Sequence, residues 1–265
     1  MQNLWTHKTS SRIRPLTLLL LSIMTVAASA SSATQPAAVT STDTDTQDVR
    51  AETATPVLHP FSASYKTEWK LGWFSIDIEA SRTLRQLASG HWQLSFEAET
   101  SAAALKETSE FIFGNGRIMP QEYRYRASGL FNEPDRTLVF APALHLVKDL
   151  ENNRDYPKAW ENEVQDNLTY MLQAGLDLAQ GKQELNYEVF EKKRSKTFSF
   201  RVIGEEELNT GIGHLQTIKV QQLRKKSNRE IFAWFAIDHH YQLVRLVDKE
   251  NGKTRYQIDI TGLKD

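Results

Sequence analysis

The amino-acid sequence predicts a mainly β protein: a large, curved antiparallel sheet or incomplete barrel that cups one central α-helix. Apolar and polar residues alternate with period two through most of the chain after residue 57, as in strands with one dry and one wet face. A single stretch near the middle instead repeats its apolar residues at helical spacing. A twisted sheet of roughly twelve strands tends to curl or close, which leaves the helix on its concave face.

Six strands are predicted before the helix, from runs in which apolar residues alternate with polar ones. Ser89-Gly90 and Asn115-Gly116 mark turns between them. The segment from Ala141 to Trp160 is expected to be irregular because it contains Pro142 and Pro157. The alternating apolar residues of the six strands are Phe61, Ala63 and Tyr65; Phe74, Ile76, Ile78 and Ala80; Trp92, Leu94, Phe96 and Ala98; Phe111 and Phe113; Tyr123, Tyr125 and Ala127; Leu138 and Phe140.

The central helix is predicted from about Asp166 to Gln180, because apolar residues in and just before this stretch share one stripe at helical spacing. Thr169, Gln173 and Asp177 fall on the opposite side of the helix. The apolar stripe consists of Val164, Leu168, Met171, Leu172, Gly175, Leu178 and Ala179.

Six further strands are predicted after the helix, and Asn251-Gly252 joins the last two as a tight hairpin. Consecutive antiparallel pairing is expected for strands at this spacing. Their apolar residues are Leu185, Tyr187 and Val189; Phe198, Phe200 and Val202; Ile218 and Val220; Ile231 to Ile237; Leu243 to Val247; Tyr256, Ile258 and Ile260.

Residues 1–30 match the pattern of a secretory signal peptide. Lys8, Arg12 and Arg14 form a positive start, and Leu16 to Val26 is an apolar run that is shorter than a membrane span. Ala28-Ser29-Ala30 is a small-residue cleavage signal. We therefore predict a periplasmic protein of a Gram-negative cell envelope, cleaved after about residue 30, with an uncleaved N-terminal anchor as the alternative.

Residues 31–57 are rich in Ala, Thr, Ser, Gln and Asp and contain no aromatic residue, so they are expected to form a disordered linker. Residues 58–265 are expected to form a single β-rich domain.

The formal net charge of −1 becomes about −4 without the signal peptide, which argues against a nucleic-acid partner. The absence of cysteine excludes disulfides, thiol catalysis and cysteine metal sites.

Four short motifs carry a resemblance to a known family. They are Gln165-Asp166-Asn167-Leu168-Thr169; Thr210-Gly211-Ile212-Gly213 before Ile218-Lys219-Val220; Trp234-Phe235-Ala236-Ile237-Asp238 before Tyr241 and Leu243-Val244-Arg245; and Phe61-x-Ala63-x-Tyr65 before Gly72. Together they resemble the bacterial exported family called domain of unknown function 3108, over about residues 58–263. That family pattern usually has Pro between the Leu and Val that here are Leu243 and Val244. The resemblance implies no established activity, but it implies a half-barrel similar to that of periplasmic lipoprotein carriers.

Aromatic and long apolar residues are the candidates for a ligand groove between sheet and helix. Core packing is the ordinary role of such residues, and the alternative is an apolar cavity suited to an acyl chain or an apolar peptide. Phe232 and Trp234 share a strand face opposite Phe235, which indicates a strand buried on both faces. The groove candidates are Trp73, Phe74, Tyr123, Tyr125, Met171, Leu176, Phe232 and Trp234.

Few polar residues in the sequence are candidates for catalysis or metal binding. Asp166 precedes the apolar run of the helix and is interpreted as its structural cap, with a catalytic base as the alternative. Asp238-His239-His240 is the only carboxylate–histidine cluster in the sequence, but a metal site needs three or four converging ligands, so no metal is predicted. The acidic pairs Asp77/Glu79 and Glu97/Glu99 lie on the polar sides of their strands and are interpreted as solvated surface.

These observations leave three hypotheses for function. The first is a non-enzymatic periplasmic protein that binds a lipid, a lipidated peptide or another apolar ligand, with peripheral contact to the envelope and no cofactor. The second is an envelope assembly protein that binds a partner through a sheet edge. The third is a hydrolase that uses Asp166 or the pair Asp238/His240, although the sequence contains none of the common catalytic motifs.

Overall fold

The structure is a computed structural model of the chain, and it describes residues 56–71, 74–129, 133–160, 163–224 and 228–265. These residues form one antiparallel sheet of 14 strands and one α-helix. The predicted fold class, a mainly β curved sheet with a single helix, is confirmed. The signal peptide predicted for residues 1–30, and the predicted linker up to residue 55, lie outside the described residues.

Eight strands precede the helix, two more than the sequence predicts. The additional strands are short and lie in the segment between residues 141 and 160, where 3₁₀ turns begin at Pro142 and Pro157. Strand pairing thus continues through a segment whose prolines predict irregular structure. The eight strands are β1 (Phe61–Leu71), β2 (Phe74–Gln86), β3 (Trp92–Thr100), β4 (Ala103–Gly114), β5 (Arg117–Gly129), β6 (Arg136–Ala141), β7 (Leu146–Asp149) and β8 (Arg154–Tyr156).

Six strands follow the helix, as the alternation predicts. They are β9 (Glu184–Glu191), β10 (Arg194–Thr210), β11 (Gly213–Leu223), β12 (Arg229–Ala236), β13 (Gln242–Glu250) and β14 (Lys253–Lys264). Asn251 and Gly252 both have positive φ, as a tight β13–β14 turn requires.

The chain begins in the middle of the sheet and ends beside its own start. β1 pairs with β2 on one side and with β14 on the other. The chain adds each strand beside the previous one as far as β8, passes through the helix, and returns from β9 to β14. β8 and β9 are therefore the two edges of the sheet, and no strand pairing joins them within the described residues.

Side chains bridge the gap between these two edges, which we call the seam. The rings of Tyr156 on β8 and Phe190 on β9 have centroids 5.4 Å apart. Arg136 donates a hydrogen bond across the seam to the carbonyl of Lys192. Gln165, just before the helix, forms an isolated parallel bridge with β9. The sheet thus curves almost into a barrel, but side chains and one bridge replace the final ladder.

Helix α1 (Thr169–Ala179) fills the inside of the curved sheet. Its Leu176 side packs with residues of β2–β8, and its Met171 side packs with residues of β9–β14. The predicted polar side is buried as well, since Gln173 and Asp177 are only 1% and 3% exposed. The helix is therefore an internal plug rather than a cover with one solvated face. Within the described ranges, no helix has the length and apolar character needed to span a bilayer.

The helix is slightly shorter than predicted, because residues 167 and 168 form a turn after Asp166. Gly175 permits close packing of the helix on the turn before β13. A Cβ atom at this position would lie 2.6 Å from the carbonyl oxygen of Tyr241. Any side chain there would push the helix away from the sheet.

The end of the long β10–β11 hairpin, residues 204–215, packs on the outer face of the sheet, and we call it the outer hairpin. The register of β10 shifts at Gly204, and the Gly211 N–H donates to the carbonyl of Ile260 on β14. Leu208 and Leu215 of the outer hairpin belong to the same apolar cluster as Trp234. A second, smaller apolar layer therefore covers the outside of β12–β14.

Candidate functional site

Three cavities among the described residues lie next to one another along the inside of the curved sheet. One of about 520 Å³ opens at the seam, and we call it the seam cavity. Its walls include the aromatic rings of Tyr123, Tyr125 and Tyr156, together with Asn167 at the start of the helix. Charged and polar residues complete its lining: Glu133, Asp135, Arg136, Asp149, Asn152, Arg154, Lys192 and Lys193.

Two smaller cavities lie next to the first turns of the helix. The inner cavity, about 50 Å³, shares Asn167 with the seam cavity and is mostly apolar. Its walls include Phe96 and Leu168. The end cavity, about 30 Å³, shares Arg82 and Met171 with the inner cavity and lies near the C-terminal residues. Shared lining residues thus place the three cavities next to one another, from the seam to the end of the sheet.

The inward-facing residues of the strands and the start of the helix together shape these cavities. On β2, Arg82 and Leu84 are buried at alternate positions and face the helix side of the sheet. On β5, Tyr123 and Tyr125 are buried in the same way. The α-helix begins only at Thr169, so its first turns leave the region near the seam unfilled.

Two buried carboxyl groups stand at the start of the helix, beside the seam cavity. Asp166 accepts hydrogen bonds from the backbone N–H groups of Leu168 and Thr169 at 2.8 and 2.9 Å. Its second oxygen accepts a hydrogen bond from the Ser109 hydroxyl at 2.5 Å. Glu107 accepts a hydrogen bond from the Tyr123 hydroxyl at 2.5 Å. The Asp166 carboxylate therefore caps the start of the helix, and the Glu107 carboxylate contacts Tyr123, which lines the seam cavity.

Burial raises the pKa of both carboxyl groups. The pKa of Glu107 rises to about 7, because burial and the nearby charge of Asp166 outweigh the hydrogen bond from Tyr123. The pKa of Asp166 is also raised by burial, against the hydrogen bonds from Ser109, Thr169 and Leu168. Neither carboxyl group has a Lys or Arg partner within 4.0 Å in the described part of the chain.

Glu107 is the residue that the sequence analysis missed. A usable signal is present in the sequence of β4, where the apolar residues Ala103, Leu105 and Phe111 lie on one period-two row. Glu107 and Ser109 occupy two of the buried positions in that alternating row. An acidic residue on the apolar face of a strand is a signal for a buried functional or structural group.

Arg82 is the buried basic group of the inner and end cavities. Only 6% of this residue is exposed, and its guanidinium lies 5.6 Å from the ring centroid of Phe61. Burial lowers the pKa of Arg82, while the Tyr65 phenol opposes that shift.

A family model, described as protein of unknown function DUF3108, matches residues 60–259. The chain belongs to the DUF3108 family. This membership confirms the family resemblance in the sequence motifs. The comparison with curated proteins gives no match.

Solved structures similar to this DUF3108 chain include one fold above a TM-score of 0.5 and two weaker likenesses. A β-barrel-like DUF1849 protein from Brucella abortus has a TM-score of 0.53 at 9% identity, covering 80% of this chain and 99% of that one. This likeness supports a common β-barrel-like fold. A DUF1329 protein from Desulfovibrio piger has a TM-score of 0.29 at 10% identity, covering 80% and 87%. A putative outer membrane lipoprotein-sorting protein domain from Vibrio parahaemolyticus has a TM-score of 0.21 at 11% identity, covering 77% and 84%.

The DUF3108 structure brings four of the eight groove candidates to the cavities. Tyr123 and Tyr125 line the seam cavity, Met171 lines the inner and end cavities, and Leu176 lines the end cavity. Trp73 lies outside the described residues, and Phe74 is described only as the first residue of β2.

Phe232 and Trp234 do not reach the groove between sheet and helix. They lie on the outer face of β12, while the alternate residue Phe235 packs with the helix. The indole N–H of Trp234 donates a hydrogen bond to Glu206 of the outer hairpin, and the ammonium of Lys219 lies 4.8 Å from the Trp234 ring centroid. The sequence pattern identifies a strand with two apolar faces, but it does not tell which face meets the helix.

The Asp238-His239-His240 cluster forms a polar turn at one end of the sheet. Ile237–His239 is a short 3₁₀ turn, and the His240 ring stacks on His59 with centroids 3.9 Å apart. No group of three or more potential metal ligands converges in the part of the chain that the structure describes. Asp166 lines none of the three cavities, so the two candidate hydrolase groups do not meet at one cleft.

Proposed function

We propose that this DUF3108 protein is an exported, non-enzymatic binding protein that holds an apolar or amphipathic ligand inside its curved sheet. A lipid or a lipidated peptide is the ligand class, and the seam is its route of entry. Support for export comes from the signal-peptide pattern of residues 1–30. The periplasm is the proposed location.

The observation that carries this proposal is the seam cavity and its position beside the apolar inner cavity. At about 520 Å³, it has the size of ordinary small-ligand sites. Asn167 borders both this cavity and the apolar inner cavity. A ligand that enters at the seam therefore meets apolar walls in the direction of the helix.

The chemistry of the walls favours an amphipathic ligand. Tyr123, Tyr125 and Tyr156 offer broad aromatic surface at the seam. Arg154, Lys192 and other charged residues surround that surface. Apolar surface beside charged residues suits a molecule with an apolar chain and a polar end.

Native mass spectrometry with lipid extraction is the direct test. The protein is purified from the periplasm without detergent, and its mass is compared before and after extraction. We expect a stoichiometric lipid or apolar small molecule that copurifies with the folded protein. A mass equal to that of the chain alone, together with no uptake of added lipid, would contradict the proposal.

Met171→Ala tests whether the interior is the binding site. Met171 lines both the inner and the end cavity, so its truncation removes apolar contacts worth about 1–2 kcal/mol to a bound chain. We expect roughly tenfold weaker retention of lipid, measured by native mass spectrometry and by displacement of a fluorescent fatty-acid probe.

Trp234→Phe is the matched control, since Trp234 is also a large buried residue but lies under the outer hairpin. We expect this variant to retain lipid as the wild type does. Equal losses in both variants would mean that the effect comes from general destabilisation rather than from the cavity.

A further inference from the structure

Arg82 lies at an interior position of β2 where the neighbouring positions are apolar. It pairs with Ala63 on β1 and with Phe96 on β3. The next residues on the same face of β2 are Ala80 and Leu84, and both belong to or pack against the apolar core. These strand neighbours offer the guanidinium no hydrogen-bond partner, and its polar contact is the Tyr65 hydroxyl.

No carboxylate lies within 4.0 Å of the Arg82 guanidinium among the described residues, and Asp265, which also lines the end cavity, contacts His239 instead. The Nη2 nitrogen of Arg82 is buried and has no hydrogen-bond partner in the described protein. The groups that act on its charge are the phenols of Tyr65 and Tyr170, and neither is acidic at neutral pH. The Tyr65 hydroxyl donates to the Leu243 carbonyl at 2.7 Å and accepts a hydrogen bond from Arg82 as a neutral group, which still leaves Nη2 without a partner.

Two partly buried arginines of the structure, unlike Arg82, have carboxylate partners. Arg136 lies 3.1 Å from Asp149, and Arg229 pairs with Asp248 through its Nε at 2.8 Å. Burying a cation without a counter-charge costs free energy that a protein normally recovers by pairing. Arg82 departs from that rule at the wall of two cavities.

We propose that Arg82 binds the carboxylate head group of an acidic amphiphile, with its apolar chain extending through the inner cavity towards the seam. This inference rests on the proposed function and names its ligand class. The planar guanidinium offers two parallel N–H donors, which match a carboxylate. From Arg82, the chain would run along Phe96, Leu168 and Met171 to Asn167 at the border of the seam cavity.

Among the residues that border the inner cavity, the charges favour a head group with one negative charge. Arg82 and Arg245 both border the inner cavity, but Arg245 is paired with Asp259. One unpaired cation remains, and a single carboxylate neutralises it. The inner cavity is also small, so Met171, a flexible side chain, must move to admit an acyl chain.

Binding of matched amphiphiles by the delipidated protein tests this inference. Hexadecanoate carries the carboxylate, hexadecanol has the same chain without charge, and acetate has the head group without the chain. We expect the wild type to bind hexadecanoate at least thirtyfold more tightly than hexadecanol at pH 7.5, measured by fluorescence titration. In Arg82→Met, we expect the two dissociation constants to agree within threefold.

Two further variants separate the charge from the fold. Arg82→Lys keeps the charge without the two-donor geometry, so an intermediate preference for hexadecanoate is expected. Arg229→Gln removes a partly buried arginine that has a carboxylate partner and lines none of these cavities, and we expect the wild-type preference to remain. Without ligand, Arg82→Met should melt at a temperature equal to or higher than that of the wild type, because it removes an unpaired buried charge.

The outcomes distinguish this inference from the proposed function. If Arg82→Met and Arg82→Lys keep the full preference for hexadecanoate, or if Arg82→Met melts at a lower temperature without ligand, the inference is overturned. If neither hexadecanoate nor hexadecanol binds the wild type, the carrier function itself fails. Acetate binding that depends on Arg82 would in that case leave a small-anion site without an acyl ligand, which also overturns the inference.

Discussion

The two ends of helix α1 carry two buried polar clusters that differ in charge balance. At the C-terminal end, Asp177 accepts hydrogen bonds from Tyr187 at 2.8 Å, Lys182 at 2.6 Å and Gln173 at 3.1 Å. Gln173 also bonds to the backbone of the β4–β5 turn. At the N-terminal end, Glu107 and Asp166 are buried together without a basic partner within 4.0 Å in the described residues.

This difference in charge balance indicates that the C-terminal cluster is structural and that the N-terminal cluster is a candidate functional site. The charge of Asp177 is neutralised by Lys182, and its oxygens have partners, so this cluster fixes the helix in the sheet. The N-terminal cluster keeps two acids in a buried place, and Tyr123 connects it with the seam cavity. Buried charges without counter-ions reduce stability, and they are concentrated at functional sites.

The largest expected effect is on the balanced cluster. Asp177→Ala leaves the hydroxyl of Tyr187, the ammonium of Lys182 and the amide of Gln173 without their common acceptor. We expect the free energy of unfolding to fall by about 4 kcal/mol, measured by urea denaturation at pH 7.

Asp177→Asn is the control for this variant, because it keeps an oxygen acceptor and loses the charge. We expect a smaller loss, about 2 kcal/mol. Equal stability of Asp177→Ala and the wild type would show that the C-terminal cluster does not hold the helix.

The second largest effect is a pH dependence from Glu107. Its pKa is about 7 in the folded protein against an ordinary value of 4.5, so the folded state binds the proton more tightly than the unfolded state. The folded state is therefore favoured at low pH, and this advantage is lost as pH rises from about 4.5 to above 7. We expect a decrease of about 3 kcal/mol in the free energy of unfolding over this range.

Glu107→Gln removes the titrating group and keeps an oxygen for the Tyr123 hydroxyl. The comparison is made by urea denaturation at several pH values. We expect the variant to lose most of the wild-type pH dependence and to be more stable than the wild type at pH 8. Parallel pH profiles for the two proteins would contradict the assigned shift of Glu107.

The smallest effect concerns Asp166. Asp166→Ala removes the acceptor for the N–H groups of Leu168 and Thr169 and for the Ser109 hydroxyl. The loss is partly offset because the repulsion with Glu107 also disappears. We expect a net loss of about 1–2 kcal/mol in the free energy of unfolding, together with a lower pKa of Glu107 by NMR titration. An unchanged Glu107 pKa would mean that the two acids are not coupled.

Strand alternation predicts most of this fold because it reports which face of each strand is dry. It predicts β9 to β14 and their last turn at Asn251-Gly252. It misses β7 and β8, because Pro142 and Pro157 indicate irregular structure and these strands are only 4 and 3 residues long. So short a run contains too few alternating positions to be recognised as a strand, and pairing with the adjacent strands orders it.

The candidate site is predicted only in part, for a related reason. Tyr123, Tyr125 and Met171 are identified as large residues on apolar faces, and they line the cavities. Phe232 and Trp234 have the same character but meet the outer hairpin. An apolar stripe predicts burial without telling what covers it.

The sequence by itself determined the mainly β class, the family, the central helix and the absence of disulfides. These depend on periodicity, composition and short motifs that lie within single segments. The tertiary structure decided that the polar side of the helix is buried, that Glu107 meets Asp166 and that Arg82 lacks a carboxylate partner among the described residues. Each of these depends on groups brought together from distant strands, because a charge is costly or favourable only through its surroundings in the folded chain.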